Sequence, residues 1–126
     1  KAFFIKHGYE VCDACAPNIE LLVKRFRQDA PLPRFKACAS AGLGDDVKGI
    51  DIFYTVQCPF TMPYIKLLEP VIQAASVPVR VHPITTREMA REHRAPHTTY
   101  CVFVDGKFYT REVLTPAKLQ KLLEKQ

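Results

Sequence analysis

The stretch Ile50-Asp51-Ile52-Phe53-Tyr54-Thr55-Val56 constrains this chain most. It is dense in β-branched and aromatic residues, the composition of a buried strand. Gln57-Cys58-Pro59-Phe60-Thr61 follows at once, and then a helical pattern begins. From Met62 to Ala75 the apolar residues Tyr64, Ile65, Leu68, Val71 and Ile72 recur at helical spacing. A strand that turns this quickly into an amphipathic helix buries both apolar faces by laying the helix on the sheet. Pro63 falls in the first turn, where proline is tolerated, while Pro70 predicts a kink or a split.

The remaining pattern fills in that sheet. Val77 to Val81 reads as a second strand, and two strands joined across a helix lie parallel. Thr85 or Thr86 is positioned as an N-cap, with Glu88 near the capping-box position, for a short polar helix from Arg87 to Arg94. Cys101-Val102-Phe103-Val104 and Phe108-Tyr109-Thr110 flank Asp105-Gly106, a strong hairpin signal. Thr115-Pro116 opens a last helix with Leu119, Leu122 and Leu123 on one face. The fold class predicted is α/β, a mixed four-stranded sheet with helices against it.

Upstream, the prolines, glycines and small residues between Gln28 and Gly49 interrupt any periodicity. We read residues 1–36 as one piece, 37–49 as a linker and 50–126 as the main domain. Of the 126 residues, 48% are hydrophobic and 25% charged, which excludes wholesale disorder. No apolar run nears the ~18 residues of a membrane span. The net charge of +5 is spread along the chain, and no exposed aromatics interleave the basic residues as nucleic-acid binding requires. An odd count of five cysteines without a signal-peptide pattern argues for a reducing, cytoplasmic compartment. The first residue is Lys rather than Met, as expected of a fragment or processed product.

Cys58 carries the clearest chemistry. A cysteine at a helix N-terminus faces unpaired N–H groups and the positive end of the dipole, which favours thiolate over thiol. Thr61 stands where a second thiol would sit, so only monothiol chemistry is open, with the Thr61 hydroxyl as a donor to the sulfur. The element order with Cys58-Pro59-Phe60-Thr61 ending the first strand resembles the thioredoxin fold, and most closely a glutaredoxin segment. That resemblance implies glutathione as a ligand of Cys58. Three glutaredoxin features are replaced: no basic residue precedes Cys58, Tyr100 stands at the proline position, and Arg111 to Thr115 replaces the glutathione-capping segment.

The N-terminal piece carries a different resemblance. Ala2-Phe3-Phe4-Ile5-Lys6-His7-Gly8-Tyr9 is similar to the end of the last core helix of GNAT-type N-acetyltransferases, with Ile19 to Phe26 as the final strand. Both halves together resemble the C-terminal region of a GNAT acetyltransferase carrying an appended YoaP-like, thioredoxin-like domain. The resemblance implies acetyl-CoA for the longer parent, an amine acceptor, and the rest of the GNAT domain as partner. No Gly-rich loop opens a helix here to take the pyrophosphate, and Phe4 occupies the place where many members have the acid tyrosine. Three roles stay open: an accessory module that binds or positions an acceptor, a monothiol redox or glutathione-binding domain, and an interaction module, with a homodimer as its simplest form.

Two smaller constellations remain. Cys12-Asp13-Ala14-Cys15, with Pro17 just beyond, is a structural pair, a redox pair or half a zinc site, and no second ligand pair completes a zinc site. In a regular strand the offset of three puts the two thiols on opposite faces. Arg87, Arg91 and Arg94, at helical spacing near His82, His93 and His97, are candidates for an anion site or for a solvated face. Met62 and Met89 read as gap-filling residues.

Overall fold

Alternation along the central strands decides the architecture. The computed structural model describes residues 1–16 and 18–126, and Pro17 lies outside the described residues. Along the chain run α1 (Ala2–Lys6), β1 (Glu10–Cys15), β2 (Ile19–Val23), α2 (Ala37–Ala41), β3 (Ile50–Tyr54), α3 (Thr61–Gln73), β4 (Val79–Pro83), α4 (Arg87–Glu92), β5 (Tyr100–Val104), β6 (Lys107–Thr110) and α5 (Pro116–Leu123). β1 and β2 form an antiparallel ribbon, and the other four strands form one sheet in the order β4-β3-β5-β6. β3 is parallel to β4 and antiparallel to β5, the mixed sheet that the pattern predicts.

Period-2 alternation gives that sheet two different faces. Ile50, Ile52 and Tyr54 of β3 align with Val79 and Val81 of β4 and with Tyr100, Val102 and Val104 of β5. With Ile65 and Leu68 of α3 and Leu119 and Leu122 of α5 they make the main core. The opposite face carries Asp51 and Phe53, beside Arg80 and His82 on β4 and Cys101 and Phe103 on β5.

The local signals mostly act as their chemistry requires. Asp105 (φ 48°) and Gly106 (φ 70°) both sit at positive φ, as a two-residue hairpin loop demands. The Thr86 hydroxyl accepts from Met89 N (3.1 Å), and the Thr115 hydroxyl accepts from Lys118 N (3.3 Å). Gly49 (φ +103°) leads into β3 where an added Cβ would lie 2.3 Å from the Pro78 carbonyl oxygen, so only glycine fits. That carbonyl accepts from Ile50 N at 2.9 Å and ties the start of β3 to the approach to β4.

Four expectations need correction. α3 runs unbroken through Pro70, whose ring lies on the exposed side of the helix. β4 starts at Val79, two residues late, because Pro78 has no N–H to give a ladder. β2 is the strand expected from Ile19, but it stops at Val23 and leaves Phe26 exposed beyond it. Cys12 and Cys15 are both buried rather than split between faces. The register shifts between Val11 and Asp13, so Cys12 is an inserted bulge residue that resets the alternation.

Residues 37–49, read as a linker, are structured. They hold α2, which packs on β1, and a bridge from Leu43 to Lys107 at the sheet edge. Gly44 N donates to Gly106 O (2.8 Å), and Cys38 Sγ lies 3.8 Å from the Arg94 carbonyl oxygen. Lys36 Nζ donates to the carbonyls of Arg91 and His93. The ribbon is tied in turn to this connector: Phe35 N donates to Asp13 Oδ2 (2.8 Å), and Arg34 donates to the Cys12 carbonyl.

Candidate functional site

Two features at the ends and open face of the sheet carry chemistry. The first is the turn from β3 into α3. Thr61 N donates to Cys58 O at 3.1 Å, which holds the turn closed. The Cys58 thiol is held below its ordinary value, first by a hydrogen bond from the Phe60 backbone and then by the Thr61 side chain. Thr61 is almost fully buried, and its hydroxyl has no hydrogen-bond partner of good geometry among the described residues. A thiolate at Cys58 would give that hydroxyl the acceptor it lacks. Cys58 and Thr61, the two residues singled out at this turn, lie together at the start of α3, with Cys58 half-buried.

That arrangement makes a direct prediction. Cys58 should be alkylated by iodoacetamide ahead of the other four cysteines, with a reaction midpoint below that of an ordinary thiol. Thr61→Val should move the midpoint upward. A midpoint unchanged by Thr61→Val would show that the hydroxyl does not act on the sulfur. Cys101 marks the opposite extreme, because complete burial pushes its thiol up to about 12.

The second feature is built on the face of the sheet away from the main core. Asp51 is buried in the middle of β3, and β4 brings two partners into register beside it. Arg80 donates to both carboxylate oxygens, Nε to Oδ1 and Nη2 to Oδ2, each at 2.7 Å. His82 Nε2 lies 2.7 Å from Oδ1. Burial pushes the Asp51 carboxyl up, but the hydrogen bonds from Arg80 and His82 outweigh it and hold the group below its ordinary value. An ionised carboxylate only accepts, so His82 Nε2 is the donor and the proton sits on that nitrogen. His82 stacks on Phe53 with ring centroids 4.5 Å apart and planes within 18°.

The neighbouring histidine is fixed as well. α4 stops at Glu92, and His93 turns into extended backbone that directs its ring inward. His93 Nε2 lies 3.1 Å from Cys101 Sγ. Burial holds His93 below its ordinary value and keeps it neutral, against a hydrogen bond to the His97 main chain that pulls upward. Cys101 stays a thiol, and it shares one hydrogen bond with His93 Nε2 whose direction is set by the imidazole tautomer. The pair is a packed hydrogen bond, not a nucleophile with its base. Phe53, His82, Met89, Glu92, His93 and Phe103 enclose an open cleft of about 410 Å³.

The arginines predicted to share a helix face are separated. Arg87 and Arg91 lie on α4, but Arg94 is past its end and pairs with Asp45 at 2.7 Å. The helix ends early because His93 is needed in the core, and that breaks the three-residue stripe. Among the described residues no cluster of three or more His, Cys, Asp or Glu side chains is placed to hold a metal ion, and no helix is long and apolar enough to cross a membrane.

Asp51, Arg80 and Phe53 were missed by motif reasoning. A signal was present: Asp51 interrupts an apolar strand, and Arg80 and His82 alternate with Val79 and Val81 on the strand predicted to lie parallel. A buried carboxylate needs a cation opposite it, and the register supplies one.

Comparison with known proteins adds two matches. A family model described as YoaP-like matches residues 78–121, the span from the approach to β4 through most of α5. Over 123 residues the chain is 33% identical to the uncharacterized N-acetyltransferase YoaP of Bacillus subtilis (strain 168), covering 98% of this chain and 49% of that protein. The chain thus spans about half the length of the curated relative it matches. No solved structure matches. The two matches support a relationship to an acetyltransferase-related family.

Proposed function

We propose that the chain is the C-terminal portion of a GNAT-type N-acetyltransferase, and that its mixed-sheet module binds and positions the amine acceptor. The similarity to the Bacillus N-acetyltransferase, which runs through the ribbon and the sheet alike, carries this reading. In it, residues 1–36 end the acetyltransferase domain and residues 50–126 form a thioredoxin-like module, a reading supported by the strand order β4-β3-β5-β6 with α3 and α5 together on one face. α1 leaves Phe3, Phe4 and Ile5 exposed, and in this reading the rest of the acetyltransferase domain covers them.

The described residues do not fit acetyl-CoA. A pyrophosphate needs free backbone N–H groups at a helix start. The N-termini of α4 and α5 are already capped by Thr86 and Thr115, and α3 begins behind Phe60 with no glycine loop. Acetyl-CoA therefore belongs to the remainder of the acetyltransferase domain, and this chain contributes acceptor contacts. The test is release of free CoA by the complete protein given acetyl-CoA and a panel of amines. Release that depends on the amine is expected, and no release with any amine would overturn the reading.

A second reading rests on the Cys58–Thr61 turn. A lowered thiol beside a buried, unpartnered hydroxyl also suits a monothiol that exchanges with glutathione disulfide. Formation of a mixed disulfide at Cys58 ahead of the other cysteines, read by peptide mass, would favour it.

A further inference from the structure

We propose that the cleft on the open face of the sheet binds an organic primary amine with an apolar body, an arylalkylamine being the simplest member. Its biological use as acceptor rests on the acetyltransferase reading, but the binding follows from the cleft itself.

The charges set the sign of the ligand. Besides the two histidines, three charged groups line the cleft: Asp45, Glu92 and Arg94. Arg94 and Asp45 neutralise each other. Glu92 has no ion-pair or hydrogen-bond partner among the described residues, so one carboxylate is left to face a ligand. Asp51 beneath the floor is already engaged by Arg80 and His82. An anion entering here would meet Glu92 and Asp45, and an ammonium would meet a counter-ion.

The walls set the shape. The Phe53 and His82 rings form one stacked platform, and Phe103 stands edge-on to Phe53 at 5.8 Å between centroids. Aromatic faces attract cations and pack flat apolar groups. His82 gives its Nε2 proton to Asp51, which fixes the imidazole ring in its place beside Phe53. His93 is held on the Cys101 side and by the His97 main chain, so it offers the cleft an apolar ring and no base. A volume of about 410 Å³ has room for a small arylalkylamine.

The chain contains two methionines, which makes the test clean. Met89 lines the cleft, whereas Met62 packs against the main core on the other side of the sheet. With methyl-¹³C methionine in the 126-residue chain, phenethylamine should shift the Met89 methyl saturably and leave Met62 in place. Glu92→Gln, an exposed position that will not unfold the chain, should weaken binding about fivefold, the scale of a partly exposed ion pair. The isosteric neutral 2-phenylethanol should bind more weakly than the amine, and 3-phenylpropionate more weakly still. Equal binding of the alcohol or the carboxylate would overturn the proposal. So would a silent Met89 up to about 10 mM phenethylamine, a range that detects weak fragment binding. If the complete protein acetylates amines while Met89 stays silent, the cleft proposal falls and the acetyltransferase reading stands. If Met89 responds but no amine is acetylated, the outcome is reversed.

Discussion

Replacing Leu68 with alanine is expected to destabilise the chain by about 3–5 kcal/mol, the upper part of the range for a buried leucine. Leu68 lies in the middle of α3 and is fully buried in the cluster that joins β3, β5, α3 and α5. Alanine there removes the contact by which α3 is clamped between sheet and C-terminal helix, and a rigid sheet cannot collapse into the space left. A domain of this length has roughly 6–19 kcal/mol of stability in total, so the loss is a large share of it. The thermal midpoint should fall by roughly 10–25 °C. Leu67, next in sequence but 56% exposed, is the control: Leu67→Ala should cost less than about 0.5 kcal/mol. If the two variants melt alike, α3 does not present Leu68 to the sheet.

The contrast between neighbouring leucines also shows how far the sequence could be read. Leu68 is marked as inward by its spacing from Ile65, Val71 and Ile72, since helical periodicity is a local property. The Asp105-Gly106 hairpin and the two threonine caps were readable for the same reason: each is settled within a few residues. What was lost depends on partners distant in sequence. The bulge at Cys12 exists because of the pairing with β2, and no local rule announces it. The end of α4 is decided by Cys101 and Phe53, which call the His93 ring into the core against its helical neighbours. The 37–49 stretch had little periodicity of its own, and its order comes from β1, β6 and the Arg94 backbone. The candidate site divides in the same way. Cys58 and Thr61 are three residues apart and could be paired on sight. The cleft needs β3, β4, β5 and α4 in register before its residues meet.

The residue that joins stability to the cleft is Asp51, and its removal should show both effects. Asp51→Ala is expected to cost about 2–3 kcal/mol at neutral pH, because it leaves Arg80 and His82 with no partner for their donors. The cost stays below that of a fully buried pair, since Arg80 is one-third exposed and keeps the Lys48 carbonyl at 2.9 Å. The loss should also depend on pH. In the folded chain the Asp51 carboxyl is held below its ordinary value, burial being outweighed by Arg80 and His82. The folded state therefore prefers the ionised form, and the stability this supplies is complete above the unfolded value of about 3.9. It fades as pH falls through the lower folded value, where Asp51 takes up a proton and its acceptor capacity drops. Wild type and Asp51→Ala should thus differ at neutral pH and converge in strong acid, once Asp51 has taken up its proton. Curves that stay parallel down to pH 2 would show that Asp51 contributes through packing and not through charge. The same variant frees the His82 ring from the position that pairs it with Phe53, so phenethylamine should bind more weakly even where the chain remains folded. Asp51 acts on the cleft through His82, which makes it a positioning residue.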